Sequence, residues 1–164
     1  MRFLFAVLIF LSLVGGATVS KPMDGQTGSF FTLRDTVSHA ESNKGEFFVV
    51  LEVDGRPIKN SLDETRGATC GPGNTLHSRY IQRQLPLRSM ELKIIATHLS
   101  ATPSDENASK AAGTFFKISN VFPFHTEDGR SYVVTGMLQK AKTCVWIADA
   151  ETRRQASPRV CLSP

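Results

Sequence analysis

Apolar and polar residues alternate through Ala111–Asp149, AAGTFFKISNVFPFHTEDGRSYVVTGMLQKAKTCVWIAD, and the alternation breaks at EDGR and again at KAK. A period of two sends successive side chains to opposite faces of a sheet, so the stretch predicts three consecutive antiparallel strands. The first runs from Gly113 to Ser119 and continues or restarts at Val121–Thr126, where Pro123 marks an edge or a bulge because it has no N–H to donate. The second is Ser131–Gln139, with Tyr132, Val134 and Leu138 on one face. Gly136 lies between them and predicts a bulge or a close backbone approach. The third is TCVWIAD, followed by the turn AETRRQ and a last short strand around Arg159–Leu162.

The same reading extends upstream. Glu46–Val53 (EFFVVLEV) is rich in β-branched and aromatic residues and predicts a strand. Asp54-Gly55 after it predicts a type I′ hairpin turn, and Pro57 makes the returning arm an edge or a short piece. Ser89–Leu99 predicts another strand, with Leu92, Ile94 and Ala96 on one face and Lys93, Ile95 and Thr97 on the other. Thr75–Gln84 reads as extended, and Ser29–Asp35 as a short strand at most. Asp63–Asn74 (DETRGATCGPGN) reads as a glycine-punctuated loop, and Ser100–Lys110 as a polar turn or one short helical turn. No long segment carries an apolar period of 3.6. About seven or eight short strands at regular spacing predict an all-β fold, a single antiparallel β-sandwich of Ig-like or related type, with a barrel as the other closed solution.

The chain has 164 residues and opens with Met1-Arg2 and the uncharged apolar run FLFAVLIFLSLVGG. That run is short for a membrane span and is followed by small residues, the pattern of a secretory signal peptide. Gly15-x-Ala17 is the expected cleavage site and Thr18-x-Ser20 a second one; no cysteine lies near enough for a lipoprotein. The expected organisation is a signal peptide at 1–17 (or to 20), a flexible N-terminal arm at 18–44, and the β-sandwich domain at 45–164. Such a protein is periplasmic or secreted, and no second apolar run is long enough to span a bilayer. A net charge of +4, spread thinly except at Arg153-Arg154, lacks the basic stripe of a nucleic-acid interface.

An oxidising compartment permits disulfides, but Cys70, Cys144 and Cys161 are an odd number, and none stands in a C-x-x-C pair. The midpoint between Cys144 and Cys161 falls between Thr152 and Arg153, inside the predicted turn, so a symmetric hairpin places them opposite one another. Pro158 weakens the returning strand, and free thiols or a bridge from Cys70 are the alternatives. Trp146 shares the face of Cys144, where it either lines a binding surface or covers the disulfide. His39, His77, His98 and His125 show no metal-ligand spacing and read as satisfied surface or edge histidines. No G-x-S-x-G elbow is present, and the glycines of 63–74 fit no phosphate-binding spacing. Asn107-Ala108-Ser109 fits a glycosylation acceptor, which matters only in a eukaryotic secretory pathway. No cofactor and no catalytic residue is expected; a hydrolase would have to use His77 or His98.

Four pieces carry a resemblance: FFVVLEVDGRPIKNSLDETRG (47–67), LPLRSMELKIIATHLSATP (85–103), AAGTFFKISNVFPF (111–124) and GRSYVVTGMLQKAKTCVWIADAET (129–152). With V-D-G-x-P, G-T-F-F and V-W-I-x-D in that order, the chain resembles a group of uncharacterised exported proteins of proteobacteria. It departs from them at Ala148, where an acidic residue is common, and at Arg153, where glycine often ends the turn. The resemblance implies a periplasmic or cell-surface β-domain and supplies no catalytic residues. The functional expectation is a non-enzymatic envelope accessory or binding module with a protein or glycan partner. Its candidate contact residues are Asp63, Glu64, Arg66 and Asn74 in the 63–74 loop. The alternatives are an inhibitor or immunity-type protein of a secreted hydrolase, inserting that loop, and a hydrolase.

Overall fold

The structure, a computed structural model, describes residues 18–20, 29–69, 75–126 and 129–162. The expected signal peptide, the arm residues 21–28, Cys70 and Asn74 lie outside the described residues. In chain order the elements are β1 (Thr18–Ser20), β2 (Phe30–Arg34), β3 (Thr36–Ser38), β4 (Lys44–Val53), β5 (Arg56–Pro57), α1 (Ser61–Thr69), β6 (Ile81–Pro86), β7 (Met90–Ser100), α2 (Pro103–Ala111), β8 (Lys117–Phe124), β9 (Ser131–Gln139), β10 (Lys142–Asp149) and β11 (Val160–Cys161). Two sheets form, and neither closes into a barrel. One has the order β1-β6-β2-β9-β10-β11; the other runs β3-β4-β7-β8, with β5 pairing β4.

Alternation builds the core between these sheets. Phe48 and Val50 of β4, Leu92, Ile94 and Ala96 of β7, and Ile118, Phe122 and Phe124 of β8 meet Phe31, Leu33, Tyr132, Val134, Val145 and Ile147 from the other sheet. Phe31, Phe124 and Tyr132 pack edge-on or tilted, with ring centroids 5.4–5.8 Å apart. The predicted faces of β7 and β9 are those observed. Gly136 is a close approach: a Cβ there would lie 2.6 Å from the Phe48 ring. Asp54 and Gly55 both take positive φ, 50° and 73°, as a I′ turn requires, and β5 returns for only two residues. Pro123 sits on β8, an edge strand.

Several expectations are corrected. The first sheet is mixed, because β1–β6 and β2–β9 pair in parallel. A parallel pair needs a long crossover, and the whole second sheet lies between β2 and β9 in the chain. The region assigned to a flexible arm contains β2 and β3: Phe31 and Leu33 are core residues, so 30–44 belongs to the domain. Ser61–Thr69 is a helix where 63–74 reads as a loop, and α2 is a nine-residue helix rather than a single turn. Residues 113–116 are not strand. Gly113 takes φ 66°, and Thr114 bonds back to Ser109, so the chain turns before β8 begins.

Two tethers hold the ends of this architecture. Asp35, between β2 and β3, is buried and takes a bidentate pair from Arg83 of β6 at 2.8 Å on both oxygens. The same carboxylate accepts from the backbone N–H of Val50 and of Ser61, and so joins both sheets to the start of α1. At the other end Cys144 and Cys161 pair directly across β10 and β11 and form a disulfide, with Cα atoms 4.1 Å apart. The returning strand is the two residues Val160–Cys161, after Pro158. Arg153, in the turn before it, adopts φ 61°, the left-handed region that favours glycine.

Candidate functional site

The outer face of the five-stranded sheet is itself apolar, with Phe47, Val49, Ile95 and Leu99 packed beneath Leu62 and Leu76. Helix α1 covers part of it. Asn60 caps that helix: its Oδ1 accepts the Asp63 N–H at 3.0 Å, and its Nδ2 donates to the Asp63 carboxylate at 2.8 Å. The buried side of α1 carries hydroxyls. Ser61, Thr65 and Thr69 accept the backbone N–H groups of Ile81, Arg79 and His77, at 2.8, 2.8 and 3.3 Å. Four helical residues advance about 6 Å and two extended residues about 6.6 Å, so an i, i+4, i+8 row of hydroxyls matches every second amide of an antiparallel extended segment.

Helix α2 stands alongside with no buried residue. Thr102 caps it by accepting the Asp105 N–H at 3.2 Å, Pro103 opens it, and Glu106 pairs with Lys110 at 2.7 Å. Between the helices lies a groove of about 390 Å³. Leu51, Leu62, Ile95 and Thr97 line it together with Asp63, Arg66, Glu106, Lys110, Phe115 and Lys117. Arg66 lies 3.6 Å from Asp63, and Lys110 sits 5.0 Å above the Phe115 ring. Lys117 has no acidic partner among the described residues, so the groove carries one uncompensated positive charge. The groove thus has an apolar floor of Leu51, Leu62 and Ile95 and a charged rim, a combination that a binding groove can use.

Of the four candidate contact residues, Asp63 and Arg66 line this groove. Glu64 instead pairs with Lys59 at 3.2 Å, and Asn74 lies outside the described residues. Of the 63–74 segment assigned to loop insertion, 63–69 is helix. Glu106, Lys110, Phe115 and Lys117 escaped the sequence reading. The sequence does hold a mark of α2, the capped start T-P-S-D-E at Thr102–Glu106, but nothing local says that it faces α1.

The histidines divide. His77 is exposed beside the end of α1, while His98 is buried in β7, contrary to a surface or edge setting. Its Nδ1 accepts the Phe116 N–H at 3.1 Å, and Nε2 lies 3.6 Å from Glu46 Oε1. Both ring nitrogens are therefore engaged, and the nearby Ser100 hydroxyl has no hydrogen-bond partner. Burial holds His98 below the ordinary histidine range; Lys44 adds to this and Glu46 opposes it. His39 is raised instead, by its 2.9 Å hydrogen bond to the other Glu46 oxygen.

A second cleft, about 240 Å³, lies between Phe30, Val53, Leu85, Pro86 and the charged Asp54, Arg56 and Arg88. Arg88 holds the Asp54 carboxyl below its ordinary range, helped by the Glu91 N–H. Trp146 is half-buried with the Arg159 guanidinium 4.0 Å over its ring, so the C-terminal segment covers it. Among the described residues no group of three or more His, Cys, Asp or Glu is placed to hold a metal ion, and no helix is long and apolar enough to cross a membrane. Comparison with protein-family models, with curated proteins and with solved structures returns no match.

Proposed function

We infer that this protein is an exported β-sandwich of Ig-like or related type, periplasmic or secreted, that works as a binding module rather than as an enzyme. The apolar leader and the Cys144–Cys161 disulfide support export into an oxidising compartment. The groove between α1 and α2 carries the functional reading, because it joins an apolar floor to Lys117, which has no acidic partner among the described residues. That combination suits a protein partner presenting an acidic side chain beside an apolar one.

A photo-crosslinker placed in the groove, with a second at Arg56 in the other cleft as control, tests this in the exported protein at neutral pH. The groove probe is carried at Glu106 on the rim with Lys117 intact; the expected result is one discrete protein adduct there, absent at Arg56 and lost when Lys117→Ala or Phe115→Ala is added. Adducts of equal yield at both positions, a glycan adduct in place of a protein, or none at Glu106 would overturn it.

A further inference from the structure

The groove wall formed by Phe115 is wired to a buried histidine. The ring of His98 lies against both Phe115 and Phe116, with centroids 6.1 and 5.7 Å away. Two hydrogen bonds join the residues: the Phe116 N–H donates to His98 Nδ1 at 3.1 Å, and the His98 N–H donates to the Phe116 carbonyl at 3.3 Å. Because Nδ1 accepts, the ring is neutral, with its proton on Nε2 toward Glu46. Adding a proton converts Nδ1 from acceptor to donor. It then faces the Phe116 N–H donor to donor, and one of the two hydrogen bonds that fix the residue next to Phe115 is lost.

The Phe116 side chain packs against the core, and its carbonyl keeps the His98 N–H, so the bond to Nδ1 is what orders the segment on the Phe115 side. From its N-terminal side, Thr114 bonds to Ser109 and Gly113 to Lys110, which ties both to α2, a helix with no buried residue. Lys44 Nζ reaches the Thr114 carbonyl at 3.4 Å. We propose that His98 is an acid-sensitive latch on the groove, whose protonation frees Thr114–Phe116 and withdraws the Phe115 wall.

The groups around the latch set its range. From β4, Glu46 faces Nε2 and favours the charged ring, while Lys44 disfavours it; burial disfavours it most. His39, following β3, and Ser38 both bind the second Glu46 oxygen, at 2.9 and 3.1 Å. Protonation of His39 therefore draws Glu46 away from His98 and keeps the latch shut until stronger acid. With its folded pKa below the unfolded value of about 6.5, His98 contributes stability that is present above that value and lost as pH falls through the folded one.

The consequence for ligand binding rests on the groove reading above, but the latch is tested without a ligand, so either can fail alone. Amide hydrogen exchange and imidazole ¹⁵N shifts are followed from about pH 7.5 to about pH 4.5. Protection of the Phe116 amide, corrected for intrinsic rate, should fall at least about 10-fold with the same midpoint as Nδ1 protonation, while β9 and β10 amides stay protected. His98→Gln should flatten this response, and His39→Gln should keep it. Unchanged Phe116 protection, loss only together with global unfolding, or midpoints differing by more than about one pH unit would each refute the latch. The midpoint comparison uses the unaltered protein, so it decides the matter even if His98→Gln does not fold.

Discussion

Helices α1 and α2 border the same groove and are both nine residues long, yet they are held by different means. Helix α1 is bonded to its surroundings along its whole length, through one carboxylate at its start and three hydroxyls down its side. Helix α2 buries nothing and depends on its cap, its first-turn acids and one ion pair. A helix can thus be seated on a sheet by side-chain hydrogen bonds to backbone amides, with Leu62 as its one buried apolar anchor. A second helix beside it can remain a movable rim. The groove thus has one wall bonded to its surroundings along its length and one wall with no buried residue.

Three substitutions break or sharpen this contrast. Asp35→Ala leaves Arg83 buried without its partner and strips the start of α1; unfolding free energy should drop by about 3–5 kcal/mol in a urea titration. If the drop is below about 1 kcal/mol, Asp35 is not the anchor of α1. Thr65→Val keeps the shape of the side chain but orphans the Arg79 N–H. A loss of about 1–3 kcal/mol is expected, with faster amide exchange at Arg79 and little change in α2. Thr102→Ala removes only a cap. It should cost about 1 kcal/mol at most, seen as fraying of α2 by hydrogen exchange, with the core strands unaffected.

The contrast also explains what could be read in advance. Strands that bury one face announce themselves, as Leu92, Ile94 and Ala96 or Tyr132, Val134 and Leu138 do. The hairpin at Asp54-Gly55, the close approach at Gly136 and the Cys144–Cys161 register followed from local rules of the same kind. Helix α1 stayed hidden because its inward positions are Ser61 and Thr65, which leave no apolar stripe. Helix α2 stayed hidden because it has no inward face at all. Strand β2 was undervalued because five residues ending in the charged Arg34, with Asp35 next, resemble a tail until Arg83 is known to meet Asp35. The groove needed residues 63–66 and 106–117 brought side by side, and no local pattern states that pairing.

The disulfide has one more consequence. Cys144 and Cys161 enclose a closed loop, 17 residues apart, and the exposed Arg153-Arg154 pair lies inside it. A trypsin-like protease that cuts there severs the backbone but releases nothing. The C-terminal piece stays covalently fastened to β10, with the Arg159–Trp146 contact still in reach. The molecule can be nicked at its most basic turn and remain one molecule.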